Sequence, residues 1–174
     1  MDSAQPDLGA MFDLHVKLEF VDRDVDATMQ TMVPEPYVHN VPVLKGGYGY
    51  AGVYDFYKRH FVGKMPADSR VEPISRTVSA DRVVDELILS FTHDVVIDYM
   101  LPGIAPTGKH VELPHVVVMK FEDGKIAHEH IYWDQACLLA QVGLLDPRKL
   151  PVTGRDQAAR LRELAGESRQ RRTG

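Results

Sequence analysis

The segment Gly124 to Gln135, GKIAHEHIYWDQ, sets His128, His130, Tyr132 and Asp134 at alternate positions. Alternate side chains of a β-strand share one face, so four proton-carrying groups would project together. Histidine titrates near neutral pH and can hold or give a proton. A carboxylate in an apolar enclosure has its pKa raised by desolvation unless a donor or a cation holds its charge. Together they could move a proton on a small organic molecule. A solvated sheet face is the plain alternative, since antiparallel sheets often have one wet side. Two other rows argue for an enclosure. In HVELPHVVVMKF, His115 shares a face with Val111, Leu113, Val117, Met119 and Phe121. In LILSFTHDVVID, His93 follows Leu87, Leu89 and Phe91 in the same alternation. A core histidine with its hydrogen bonds satisfied would explain either one alone. Taken together the rows predict that His93, His115, His130 and Asp134 line one cavity. Tyr37, His39, Asn40 and Tyr132 are then candidates to bind or polarise a substrate oxygen.

Other chemistries fit less well. His128 and His130 stand two apart, not four as in the helical metalloprotease motif. They could chelate an ion with His93 or His115 as third ligand, but no carboxylate-rich ligand cluster accompanies them, and no metal or cofactor is expected. Gly46-Gly47-Tyr48-Gly49 lacks the lysine and the preceding strand of a phosphate loop. Cys137 lies among Leu138, Leu139 and Val142 and reads as inert core. Ser79 and Ser90 have no glycine-framed elbow around them.

The elements that must carry these groups can be read in order. Residues 8–20 place Met11, Leu14, His15 and Leu18 on one helical face. Asp22 or Asp24 can cap a second helix that ends before Pro34. PYVHNVPV reads as an edge strand because of its prolines, KGGYGYAG as a loop, and VYDFYKRHF as a helix. Four strands follow: VEPISRTVSA, VVDELILSFTHDVVIDYM, HVELPHVVVMKFE and KIAHEHIYWD, the last two joined by an Asp123-Gly124 hairpin signal. A helix over QACLLAQVGLL closes residues 1–146, and residues 147–174 form a basic, partly helical extension. The predicted class is α+β, a curved antiparallel sheet covered by the early helices and enclosing a pocket.

Composition excludes several functions. The 174 residues carry a formal charge of −5, divided into −10 before Pro147 (12 Lys+Arg against 22 Asp+Glu) and +5 from Pro147 on (8 against 3). An acidic body does not attract nucleic acid, and the short tail is expected to pack on that body or on a neighbouring subunit. No apolar run suits a membrane span. The opening MDSAQPDLGAMF gives no secretory signal, and one cysteine suits a reducing, cytoplasmic location. Ile131 and Trp133 beside Val116 and Val118 suggest an apolar outer face, hence a homodimer or higher homo-oligomer.

The ordered set Thr92-His93, Pro106-Thr107-Gly108-Lys109, Asp123-Gly124-Lys125-Ile126 and Tyr132-Trp133-Asp134 resembles the SnoaL-like polyketide cyclases of the nuclear-transport-factor-two-like superfamily, over about residues 8 to 145. The resemblance implies that fold and a catalytic carboxylate at the position of Asp134. It also likens Asn40-Val41-Pro42 to the water-positioning segment of the limonene-epoxide-hydrolase-like members. Those hydrolases carry Arg and Asp on the long strand, where this chain has His93, Asp94 and Asp98. The reading is a cofactor-free acid–base enzyme of isomerase, cyclase, hydrolase or dehydratase type. Its small-molecule substrate would be largely apolar and carry a carbonyl or ring. Asp134, His130 and His93 would be catalytic; His115, Tyr37, Asn40, Tyr132 and His39 would bind. The alternatives are a non-catalytic binding module of the same fold and a dimerisation domain with a filled cone.

Overall fold

The computed structural model describes residues 7–173, with side chains to residue 168. The first six residues, which open the segment read as lacking a secretory signal, lie outside them, as do the side chains of the final RQRRTG. Asp7 caps α1 (Leu8–Lys17) by accepting from the Ala10 N–H, and the helix continues as a π-helical turn over Leu18–Asp22. Asp24 caps the short α2 (Val25–Gln30). After β1 (Met32–Asn40) and β2 (Lys45–Tyr48), α3 (Gly49–Phe56) also passes into a π-helical turn, Tyr57–Phe61. Then come β3 (Arg70–Val78), β4 (Arg82–Thr92), β5 (His110–Glu122), β6 (Lys125–Trp133), α4 (Gln135–Gln141) and α5 (Asp156–Thr173).

The strands form one curved, unclosed sheet in the order β2-β1-β6-β5-β4-β3. Three expectations are corrected here. β1 is not an edge: it lies between β2 and β6 and runs parallel to β6. Its prolines fall between Met32 and Tyr37, where the ladder to β6 is irregular, so their missing N–H groups break no central pairing. The expected glycine loop contains the true edge, β2. There Gly47 lies so close to Gly52 that a Cβ would stand 2.3 Å from the Gly52 carbonyl oxygen. The long fourth strand stops at Thr92, and residues 93–109 turn away as a loop. The Asp123-Gly124 hairpin is present, both residues at positive φ (48° and 76°) as a type I′ turn requires.

Helix α1 crosses the concave face and buries Leu8, Phe12, His15 and, one turn on, Glu19. The expected face is thus rotated, since Leu14 is exposed. Under α1, β4 and β5 contribute the inward row Val83, Leu89, Phe91, Val111, Leu113, Met119 and Phe121, all buried. Helix α5 docks back on the body: Arg162 pairs with Glu72 and Glu112, Arg155 donates to the His110 carbonyl, and Ala158 is fully buried. No described helix is long and apolar enough to cross a membrane.

Candidate active site

Strand pairing decides which side chains enter the concave face. In β6, His115 pairs with Trp133, Val117 with Ile131 and Met119 with Glu129, so Glu129, Ile131 and Trp133 face inward with His115. His128, His130 and Tyr132 pair with Lys120, Val118 and Val116 on the convex side. The cause is a bulge at Ala127: Ile126 pairs with Phe121 and is buried, yet Glu129 is the next residue to share its face. Unbroken alternation from Ile126 would have turned the histidines inward.

The expectation that His130 and Asp134 share a cavity with His93 and His115 is therefore corrected. Between helices and concave sheet lies a cavity of about 240 Å³, lined among others by His115 and Asn40 but not by His93, His130 or Asp134. The Asp134 side chain caps α4, accepting from the Cys137 N–H at 3.1 Å and from Gln157 at 2.7 Å. These donors outweigh partial burial and hold its pKa below the usual carboxylate value. His93 is buried beneath the following loop, with Nδ1 3.1 Å from the Thr107 hydroxyl and Nε2 without a partner. Tyr37, His39 and Tyr132 lie on the convex side, where Tyr37 stacks on His128 and meets His130 Nε2 at 2.9 Å. The expected apolar outer face changes too: Ile131 and Trp133 point inward, leaving Val116 and Val118 beside these polar rings.

The titratable groups that do reach the cavity come from elsewhere. Glu19 and Tyr57, both on π-helical turns, line it together with Glu129. Such turns recur at functional sites because they displace a side chain from the α-helical register. Tyr57 donates to Glu129 Oε1 at 2.6 Å. Behind them His15, wholly buried, places Nε2 3.1 Å from Glu129 Oε1 and 3.2 Å from Glu19 Oε1. Its Nδ1 lies 2.5 Å from the Thr31 hydroxyl, whose own proton goes to the Thr28 carbonyl at 2.6 Å. Thr31 can then only accept, so Nδ1 carries a proton, while Nε2 faces carboxylates.

His15 is thus an imidazolium. Burial opposes its charge, but Glu19 and Glu129 outweigh that, and its pKa is pushed up to about 10. Burial raises the Glu19 pKa against the pull of His15. Burial and the neighbouring carboxylates raise Tyr57 well above its ordinary value. The cluster therefore offers the cavity one hydrogen-bonded carboxylate, one carboxyl that favours its proton and one phenol. His15, Glu19 and Glu129 also present one nitrogen and two oxygens within 4.8 Å of one another. Both His15 nitrogens donate, so this trio could hold a divalent ion only by giving up protons.

The remaining walls are apolar: Phe12, Phe20, Phe56, Phe61, Leu87 and Ile131 are among them. At one side Arg76 binds Asp85 through two hydrogen bonds and Asp13 through a third, tying α1 to β3 and β4.

Comparison with known proteins agrees with this architecture. The SnoaL-like domain model matches residues 15–129, and the chain belongs to that family. TsrD from Streptomyces laurentii is 19% identical, with 83% of this chain and 99% of that one covered and a TM-score of 0.61. A protein from Jannaschia sp. CCS1 classed as a SnoaL-like polyketide cyclase is 18% identical, with 84% and 99% covered and a TM-score of 0.60. The epoxide hydrolase/cyclase-like enzyme SalBIII, of pyran ring formation in salinomycin, is 16% identical, with 78% and 96% covered and a TM-score of 0.56. At these identities the likeness is one of fold. No curated protein matches the chain.

Proposed function

We propose that the protein is an acid–base enzyme acting on a small, largely apolar molecule with a carbonyl or ring. The observation that carries this is the pairing of Glu129 with Glu19 at the wall of an apolar cavity. One carboxylate is held by Tyr57 and His15, while burial favours the proton on the other. Two carboxyl groups in such different hydrogen-bonding environments are suited to opposite roles. Glu129 takes a proton from carbon beside a carbonyl. Glu19 gives one to the oxygen or ring atom that gains charge, while Tyr57, whose single proton is spent on Glu129, holds that carboxylate in place. His15 touches no substrate: it fixes the two carboxyl groups and balances the charge of Glu129. Convergence of these groups within hydrogen-bond reach favours an enzyme over a passive carrier of the same fold.

The test is solvent exchange of the α-protons of 1-tetralone in D₂O, followed by NMR. Wild type should accelerate exchange, and Glu129→Gln should lose a factor on the order of hundreds. A folded Glu129→Gln protein with undiminished exchange would overturn the assignment.

A further inference from the structure

The cavity has a second polar flank whose hydrogen-bonding sense is fixed by chemistry. His115 Nδ1 lies 3.0 Å from the Leu113 carbonyl oxygen. A carbonyl only accepts, so Nδ1 carries the proton and Nε2 of the neutral ring is a bare lone pair. Burial keeps the ring neutral, lowering its pKa to about 4. Trp133 stacks on the ring at 5.4 Å between centroids and holds its orientation. Asn40 stands beside it with a mixed hydrogen-bonding capacity. Its Nδ2 spends one of its two N–H donors on the Lys45 carbonyl at 3.2 Å, which leaves the amide oxygen and the second N–H. Asn40 pairs with Ile131 and His115 with Trp133, so the two flank β6 at successive inward positions. Both line the cavity; His115 offers it an acceptor only, while Asn40 offers an acceptor and a donor.

The proton-transfer groups lie at the other end of the same row. Glu129 precedes Trp133 by four residues on β6, about 13 Å of backbone at ~3.3 Å per residue. Side chains converging from a concave face shorten the gap between their tips. We infer that His115 is a specificity-determining acceptor that selects substrates bearing a hydroxyl or N–H donor at the end remote from the reacting carbon. Phenols and hydroxylated rings are the matching class; ethers and purely hydrocarbon ends are not. An enclosed lone pair that meets no donor costs binding, which is how a built hydrogen-bonding site rejects the analogue lacking its partner. His115 would thus bind a substrate oxygen by accepting its hydrogen bond, since a bare nitrogen cannot donate.

The inference rests on the cavity being the substrate site, and its test is independent of turnover. Dissociation constants of 1-tetralone, 6-hydroxy-1-tetralone and 6-methoxy-1-tetralone are measured by calorimetry on wild type, His115→Leu and His115→Gln. Wild type should bind the hydroxyl compound at least tenfold more tightly than the parent, and the methoxy compound no better than the parent. His115→Leu should bring the hydroxyl and parent compounds within about twofold. His115→Gln, which can present an amide oxygen, should restore part of the preference. Equal affinities in wild type, a preference that survives in His115→Leu, or binding of none of the three would overturn the inference. Should His115→Leu fail to fold, the wild-type ranking and His115→Gln decide. A hydroxyl preference without accelerated proton exchange would leave this inference standing while removing the proton-transfer reading. Exchange without the preference would do the reverse.

Discussion

Tyr57 and Glu129, 72 residues apart, are joined by a 2.6 Å hydrogen bond in which the phenol donates to the carboxylate. Both are buried, so the bond is worth more than a surface contact. Tyr57→Phe keeps the ring and deletes the donor. It should cost about 1.5–3 kcal/mol, the range for a hydrogen bond to a charged group, read as a lower denaturation midpoint at unchanged slope. A midpoint equal to wild type would mean that the phenol is not bonded to an ionised group.

The two glutamates should respond differently to amidation. Glu129→Gln leaves the buried His15 cation with Glu19 alone, and breaking such a pair costs about 3–5 kcal/mol. Glu19→Gln keeps the Glu129 counter-charge beside His15 and replaces a carboxyl whose neutral form burial favours, so it should destabilise less than Glu129→Gln while proton exchange falls. Equal destabilisation by the two variants, in urea titrations at pH 7, would contradict the assigned protonation pattern.

Stability should fall as pH rises through the alkaline range. A folded pKa of His15 at about 10, against 6.5 as the ordinary value, means that its contribution is complete below 6.5. That contribution is lost progressively as pH climbs through about 10. The raised Glu19 pKa acts in the same sense from 4.5 upward. Melting temperature against pH should therefore slope downward above pH 6.5, and His15→Gln should flatten that slope. An unchanged slope in a folded His15→Gln protein would count against the buried imidazolium.

Asp134 should be structural. Asp134→Asn keeps a side-chain oxygen for the Cys137 N–H and should leave exchange activity near wild type. Asp134→Ala should cost about 1 kcal/mol through loss of the cap. A folded Asp134→Asn protein with activity reduced a hundredfold would return this residue to the mechanism.

Much of the architecture was legible because it rests on local signals. Asp24 caps a helix, Asp123-Gly124 turns a hairpin, and the apolar row of β5 placed His115 inside. What escaped was non-local or shifted by one residue. The bulge at Ala127 has no distinctive residue type, yet it reverses every side chain after it. The rule that found His115, a lone titratable group in an apolar row, also fits Glu129 beside Ile131 and Trp133. The neighbouring histidines drew attention away from it. His15 and Glu19 stand four apart, one helical turn, and that spacing was a readable pair. Their partner Tyr57 was not, because its π-helical register and its meeting with α1 depend on tertiary packing. The β1 prolines misled in the opposite direction, since a central strand tolerates them where its ladder is already interrupted.

The cluster also constrains how the chain can be made. Its histidine sits in the first described helix and its Glu129 in the last strand, so charge balance needs both ends of the domain. During synthesis, α1 must wait with His15 in water until nearly the whole domain has left the ribosome. Only then does β6 insert between β1 and β5, joining strands that are otherwise unpartnered on that side. A nascent chain stopped short of Lys125 exposes two open strand edges and an unfilled concave face. Such intermediates are the ones that aggregate. Helper proteins that shield strand edges would act on this chain late in its elongation.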